Sequence, residues 1–182
     1  MNVEGTDRRR PVSGARTRQS TFTCLGASVE PPFEAVTSAA VVAVTADDLL
    51  VLAELDRGLD IPGGHVQRHE RSIEETIRRE AWEEVRVRVG DLRRVEVIES
   101  DYFGTHDLTY MVICAARVTQ LAPWEAGHES AGRLVLPPEE FLRRYRAGDP
   151  ELMRHLVTCA LAVLGASSAP PPGSAPVSRA DG

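Results

Sequence analysis

Along the chain, short runs of apolar residues alternate with polar breaks, and two stretches repeat at helical spacing. Residues 39–44 and 49–55 are dense in Val, Leu and Ala and are separated by Asp47-Asp48, a pattern that predicts a β-hairpin. Polar-rich residues 73–85 carry Ile77, Ala81 and Val85 four apart, which predicts a helix with one buried stripe. Ser72 and Glu75 in front of it have the form of a capping box. Further strands are predicted at 87–89, 92–99, 108–118 and 133–136, and residues 21–29 are a candidate edge strand. Pro138 opens a short helix with Phe141, Leu142 and Tyr145, ended near Gly148. Asp149 and Pro150 then start a last helix, whose stripe of Met153, Leu156, Val157, Ala160, Leu161 and Leu164 is core and which Gly165 is expected to close.

Both ends lack this periodicity. Residues 1–32 are polar and arginine-rich, and residues 166–182 are rich in Pro, Ser and Ala; they are expected to be a mostly disordered arm and a disordered tail around one domain at 33–165. A chain of 182 residues with 42% hydrophobic content suits one domain with a core.

A formal charge of −6 argues against a nonspecific partner of polymeric nucleic acid, which normally presents a basic patch. All 21 basic residues are arginine, so Schiff-base chemistry and a P-loop lysine are excluded while bidentate phosphate donors remain. Cys24, Cys114 and Cys159 are far apart and lack metal-ligand spacing, as suits a reducing cytoplasm. No apolar run approaches the roughly 20 residues of a membrane span. The sequence leaves monomer and homodimer open.

The chemistry concentrates in residues 59–89. Residues three and four apart share a helix face, so Glu80, Glu83 and Glu84 converge on a sector that borders Ile77, Ala81 and Val85. On a solvated face such a cluster is ordinary. At the edge of a core, carboxylates need a cation, a donor or a proton, and oxygen-only ligands suit a hard ion such as Mg²⁺ or Mn²⁺. Ile61-Pro62-Gly63-Gly64 leads into this segment, and the glycines leave room for close approach of the backbone.

The order Gly64, Glu70, Arg79-Glu80, Glu83-Glu84 resembles the Nudix box, the signature of hydrolases acting on nucleoside diphosphates linked to another moiety. Three positions depart from it: eight residues rather than seven separate Glu70 from Arg79, His69 stands where a glycine is usual, and Arg86 replaces the glycine after Glu83-Glu84. Either Glu70 keeps the box's first glutamate position with a loop one residue longer, or Arg71 has taken that position. The resemblance implies an α/β protein with the Nudix fold, an α/β/α sandwich around a mixed β-sheet. It also implies a metal-dependent hydrolase that cleaves a phosphoanhydride in a nucleotide or nucleoside diphosphate-linked substrate.

By the same resemblance, Glu80 and Glu84 are metal ligands, with Glu83 as ligand or water-activating base and the Gly64 carbonyl as a further ligand. Arg79 orients the carboxylates, Glu70 bonds that arginine, and Gly63 and Gly64 border the substrate. Some family members take the base from a later loop, where Glu129 and then Glu125 are the candidates. Tyr102, Phe103 and His106 are candidates to meet a base or sugar, and Trp124 to stack on a base; His128 and His106 are candidate phosphate donors or proton carriers. For all of these, packing or solvation is the ordinary alternative. A catalytically weak domain that binds a nucleotide or protein partner is the rival to the enzyme.

Overall fold

The computed structural model describes residues 21–101, 103–104, 106–125 and 130–167. Tyr102, His128 and Glu129, together with the expected arm up to residue 20 and the tail from 168, lie outside the described residues. The strands are β1 (Phe22–Cys24), β2 (Val36–Val44), β3 (Leu50–Leu55), β4 (Gly58–Asp60), β5 (Gly63–His65), β6 (Val87–Val89), β7 (Arg93–Ser100), β8 (Thr109–Leu121) and β9 (Gly132–Leu136). The α-helices are α1 (Ile73–Val85), α2 (Pro138–Arg144) and α3 (Pro150–Ser167).

The sheet runs β1-β7-β8-β2-β3-β4, with β5 also on β2, β6 on β8 and β9 on β3. It is mixed, because β2 and β8 run parallel whereas the other pairs are antiparallel. Alternate residues of β2 supply two cores. Val41 and Ala43 pack with Ile77, Ala81 and Val85 of α1, while Val42 and Val44 pack with Phe141 of α2 and Leu156, Val157 and Ala160 of α3. Burial on both faces explains why 39–44 reads as an unbroken apolar run rather than an alternating one. The architecture is the expected α/β/α sandwich.

Local signals account for most boundaries. Thr45 Oγ1 accepts from Leu49 N–H at 3.1 Å across the β2–β3 turn, where Asp48 takes φ 59°. Ser72 Oγ accepts from Glu75 N–H at 3.3 Å, but the Glu75 carboxylate reaches past Ser72 to Arg71 N–H at 2.8 Å, so only half of the expected capping box forms. Asp149 Oδ1 caps α3 by accepting from Glu151 N–H at 2.9 Å. Gly165 does not end α3, which continues to Ser167; this glycine does not take the positive φ of a helix-ending cap. At the other edge of the sheet, β1 pairs with β7 and realises the edge strand expected within residues 21–29.

Candidate active site

Strand β5 sets the floor of the site. It pairs antiparallel with β2, placing Gly63 opposite Ala40 and Gly64 opposite Ala39, so the two glycines face opposite sides of the sheet. A Cβ on Gly63 would lie 2.7 Å from Ala40 Cα and 2.8 Å from the Ala39 carbonyl oxygen, and one on Gly64 would lie 2.6 Å from Glu80 Cδ. Neither glycine has positive φ, so what these positions require is the missing side chain and not an unusual backbone.

Helix α1 brings the acids to that floor. Glu84 is 5% exposed and accepts from Gly63 N–H at 3.0 Å. Burial pushes its carboxyl up to about 7, helped by the charges of Glu80 and Asp60 and opposed by the Gly63 N–H bond and Arg57. Arg79 lies at the centre. Its Nε donates to Glu70 Oε1 at 2.7 Å, and its Nη1 donates to Glu80 Oε1 at 2.7 Å and Glu83 Oε2 at 3.0 Å. Its Nη2 donates to the His65 carbonyl at 3.0 Å, which ties the helix to β5. Burial alone would lower the Arg79 pKa, but bonds to three carboxylates raise it, so the guanidinium is a permanent charge holding acids that would otherwise repel.

Glu70 belongs to this network. It is 7% exposed, and its Oε2 accepts from Gln67 N–H and from the Thr76 hydroxyl, each at 2.7 Å. Burial would raise its pKa, but the bonds from Arg79, Gln67 and Thr76, with the Arg79 charge, hold it at about 2. The Arg71 side chain is exposed, so of the two candidates for one position it is Glu70 that meets Arg79. Thr76 was not legible as part of the site, since a threonine inside a helix has no distinguishing spacing.

The remaining candidates are placed unevenly. Glu125 and His106 are exposed, and Trp124 is half-buried. Trp82 turns from the acids and is flanked by Arg86 and Arg88, whose guanidinium carbons lie 5.6 and 4.8 Å from its ring centroid. Arg86, in the glycine position after Glu83-Glu84, takes φ 54° and ψ 42°, the left-handed conformation that favours glycine at a helix end. On the α3 side, a cavity of about 830 Å³ opens from Gly63 and Gly64, lined by Asp60, Arg57 and Tyr145, which the sequence did not single out, and by Phe103, which it did.

A family model described as NUDIX domain matches residues 35–156. The chain belongs to the Nudix family. Among solved structures, the Bacillus subtilis pyrophosphohydrolase BsRppH is similar at 23% identity and TM-score 0.63, over 82% of this chain and 93% of its own. A NUDIX hydrolase from Nitrosomonas europaea is similar at 18% identity and TM-score 0.57, over 70% and 90%. The NUDIX domain of Shewanella oneidensis NrtR, complexed with ADP ribose, is similar at 17% identity and TM-score 0.58, over 71% and 88%. At these identities the likeness is one of fold. No curated protein matches the sequence.

The Nudix box residues are therefore assembled despite the longer loop. Among the described residues, no three Asp, Glu, His or Cys side chains already form a group able to hold an ion, and the Arg79 guanidinium bonds both Glu80 and Glu83. The donor chemistry nevertheless fits a hard divalent ion: Glu80, Glu83 and Glu84 offer only oxygen, and the missing side chain of Gly64 leaves the Glu80 carboxylate close to the backbone.

Proposed function

We propose that this Nudix domain is a metal-dependent hydrolase that cleaves the phosphoanhydride of a nucleotide or nucleoside diphosphate-linked compound. The observation that carries the reading is the convergence of Glu70, Glu80 and Glu83 on Arg79, beside a buried Glu84 bonded to β5. Glu80, Glu84 and the Gly64 carbonyl would hold Mg²⁺ or Mn²⁺, with Glu83 as a further ligand or as the base that takes a proton from water. When bound, such an ion supplies Lewis-acid stabilisation of phosphoryl oxygens and an acidified water. Arg79 positions Glu80 and Glu83, and Glu70 positions Arg79. Nucleotide chemistry is supported by the fold relative that is complexed with ADP ribose.

Product analysis by mass spectrometry, with and without Mg²⁺, across nucleoside triphosphates, dinucleoside polyphosphates, ADP-ribose and sugar nucleotides tests the activity. Glu80→Gln and Glu84→Gln are expected to lower turnover by more than the roughly 100-fold that even an outer-shell partner can cost, with the fold retained. Glutamine matches the neutral form of the buried Glu84 in shape, so stability is expected to survive in that variant. Near wild-type turnover in both would sink the proposed metal site. Nucleotide binding without turnover anywhere in the panel would instead establish a binding module.

A further inference from the structure

The cavity that starts at Gly63 and Gly64 crosses the α3 side of the sheet to the β1–β7 edge. Its walls along that path include Ile98, Met111, Ile113 and Leu152, which are apolar. Arg57 is the one arginine among the described lining residues, and its Nε and Nη2 both donate to Asp60 Oδ2 at 3.1 Å. A second phosphate would find its positive charge there already engaged. The cavity therefore suits an uncharged part of a substrate whose diphosphate lies at β5 and α1.

Two large aromatic side chains stand at the far end of this path. Phe22 is 64% exposed and Phe103 is 63% exposed, and both line the cavity although one comes from β1 and the other from the β7–β8 connection. Phe22 sits on an anchored strand. Its register places it opposite Ser100, with Cys24 opposite Ile98. Thr21 N–H donates to Asp101 Oδ1 at 2.7 Å before it, and Leu25 N–H donates to the Val97 carbonyl at 2.9 Å after it. Beyond Leu25, Gly26 N–H donates to Glu96, a buried carboxylate that also meets His155 of α3 at 2.9 Å. β1 lies just outside residues 35–156, the span that the family model matches.

We propose that Phe22 and Phe103 are the specificity-determining pair of this enzyme and hold the planar base of a nucleotide substrate at the outer end of the cavity. The proposal rests on the hydrolase reading for the position of the diphosphate. An aromatic face accepts any base, so this pair selects for the presence of a base more than for its identity. A substrate whose second half is another phosphorylated group gains nothing from this wall.

AMP and ribose 5-phosphate differ by the base and contain no anhydride, so their binding is measurable by calorimetry without turnover, with Mg²⁺ present. Wild-type protein is expected to bind AMP about tenfold more tightly than ribose 5-phosphate. Phe22→Ala and Phe103→Ala are each expected to weaken AMP by about fivefold or more while ribose 5-phosphate changes less than about twofold, and Phe22→Trp is expected to retain AMP. The absence of a base preference in wild type, including binding of neither probe, overturns the proposal. So does an equal loss of both probes in Phe22→Ala, which would mark β1 as structural support only. Turnover in the nucleotide panel separates the two readings: hydrolysis without any base preference removes this pair and leaves the hydrolase, whereas no hydrolysis removes the latter.

Discussion

Arg79 Nε lies 2.7 Å from Glu70 Oε1, while Arg71, next to that glutamate in the chain, turns its side chain to solvent. The longer loop thus preserves the contact. Glu70→Gln keeps the shape but removes the charge opposite Arg79, so turnover is expected to fall roughly 10- to 100-fold. Arg71→Ala is expected to be nearly neutral. Steady-state kinetics of the two variants checks the assignment, and a reversed order of effects would refute it.

The same carboxylate links the site to acid stability. Glu70 ionises at about 2 rather than its ordinary 4.5, so the folded protein binds its proton less readily than the unfolded chain. Its contribution is fully present above 4.5 and is lost as the pH falls through about 2. The difference corresponds to a ceiling on the order of 3 kcal/mol. Urea titrations between neutral pH and pH 2 are expected to show a smaller acid loss in Glu70→Gln than in the wild type. Parallel curves would show that Glu70 contributes nothing to the transition.

The two glycines of β5 are expected to fail differently. An added methyl at Gly63 meets the backbone of Ala39 and Ala40, which has little freedom to move, so Gly63→Ala is expected to cost about 1–3 kcal/mol in stability. At Gly64 the obstruction is the end of the Glu80 side chain, which can swing aside. Gly64→Ala is therefore expected to stay folded and lose turnover, because Glu80 then leaves Arg79. Melting curves and kinetics on both proteins separate the two effects.

Arg86 carries a conformational cost at the end of α1, offset in part by its ring contact with Trp82. Arg86→Ala keeps the left-handed backbone and loses the contact, whereas Arg86→Gly loses the contact and relieves the backbone. The glycine variant is expected to be more stable than the alanine variant by about 1 kcal/mol. Equal midpoints and slopes in urea would show that the backbone at 86 is unstrained.

The parts of this structure that were legible in the sequence share a local physical cause. The bounds of α1 follow from Ser72 and the spacing of Ile77, Ala81 and Val85, and the β2–β3 hairpin follows from apolar runs around Asp47-Asp48. The acids were legible because a helix brings residues three and four apart together. Contacts between distant segments were not. Asp60 and Arg57 reach the cavity through the β3–β4 pairing, and Thr76 matters only because the loop before α1 folds Glu70 back over it. Phe22 was part of a segment recognised as a candidate strand, but its place in the cavity depends on pairing with β7.

The parallel contact between β2 and β8 places Ala39 beside Val112, and every box residue lies in the chain between those two strands. Closing so long a loop is entropically slow, whereas the β2–β3 and β7–β8 hairpins can form from neighbouring segments. A refolding chain can therefore acquire much of its strand content before β8 brings Tyr110, Met111 and Ile113 against β2 to complete the cavity beside β5. Ligand binding at β5 is then expected to return with the last kinetic phase, after the bulk of the far-ultraviolet signal.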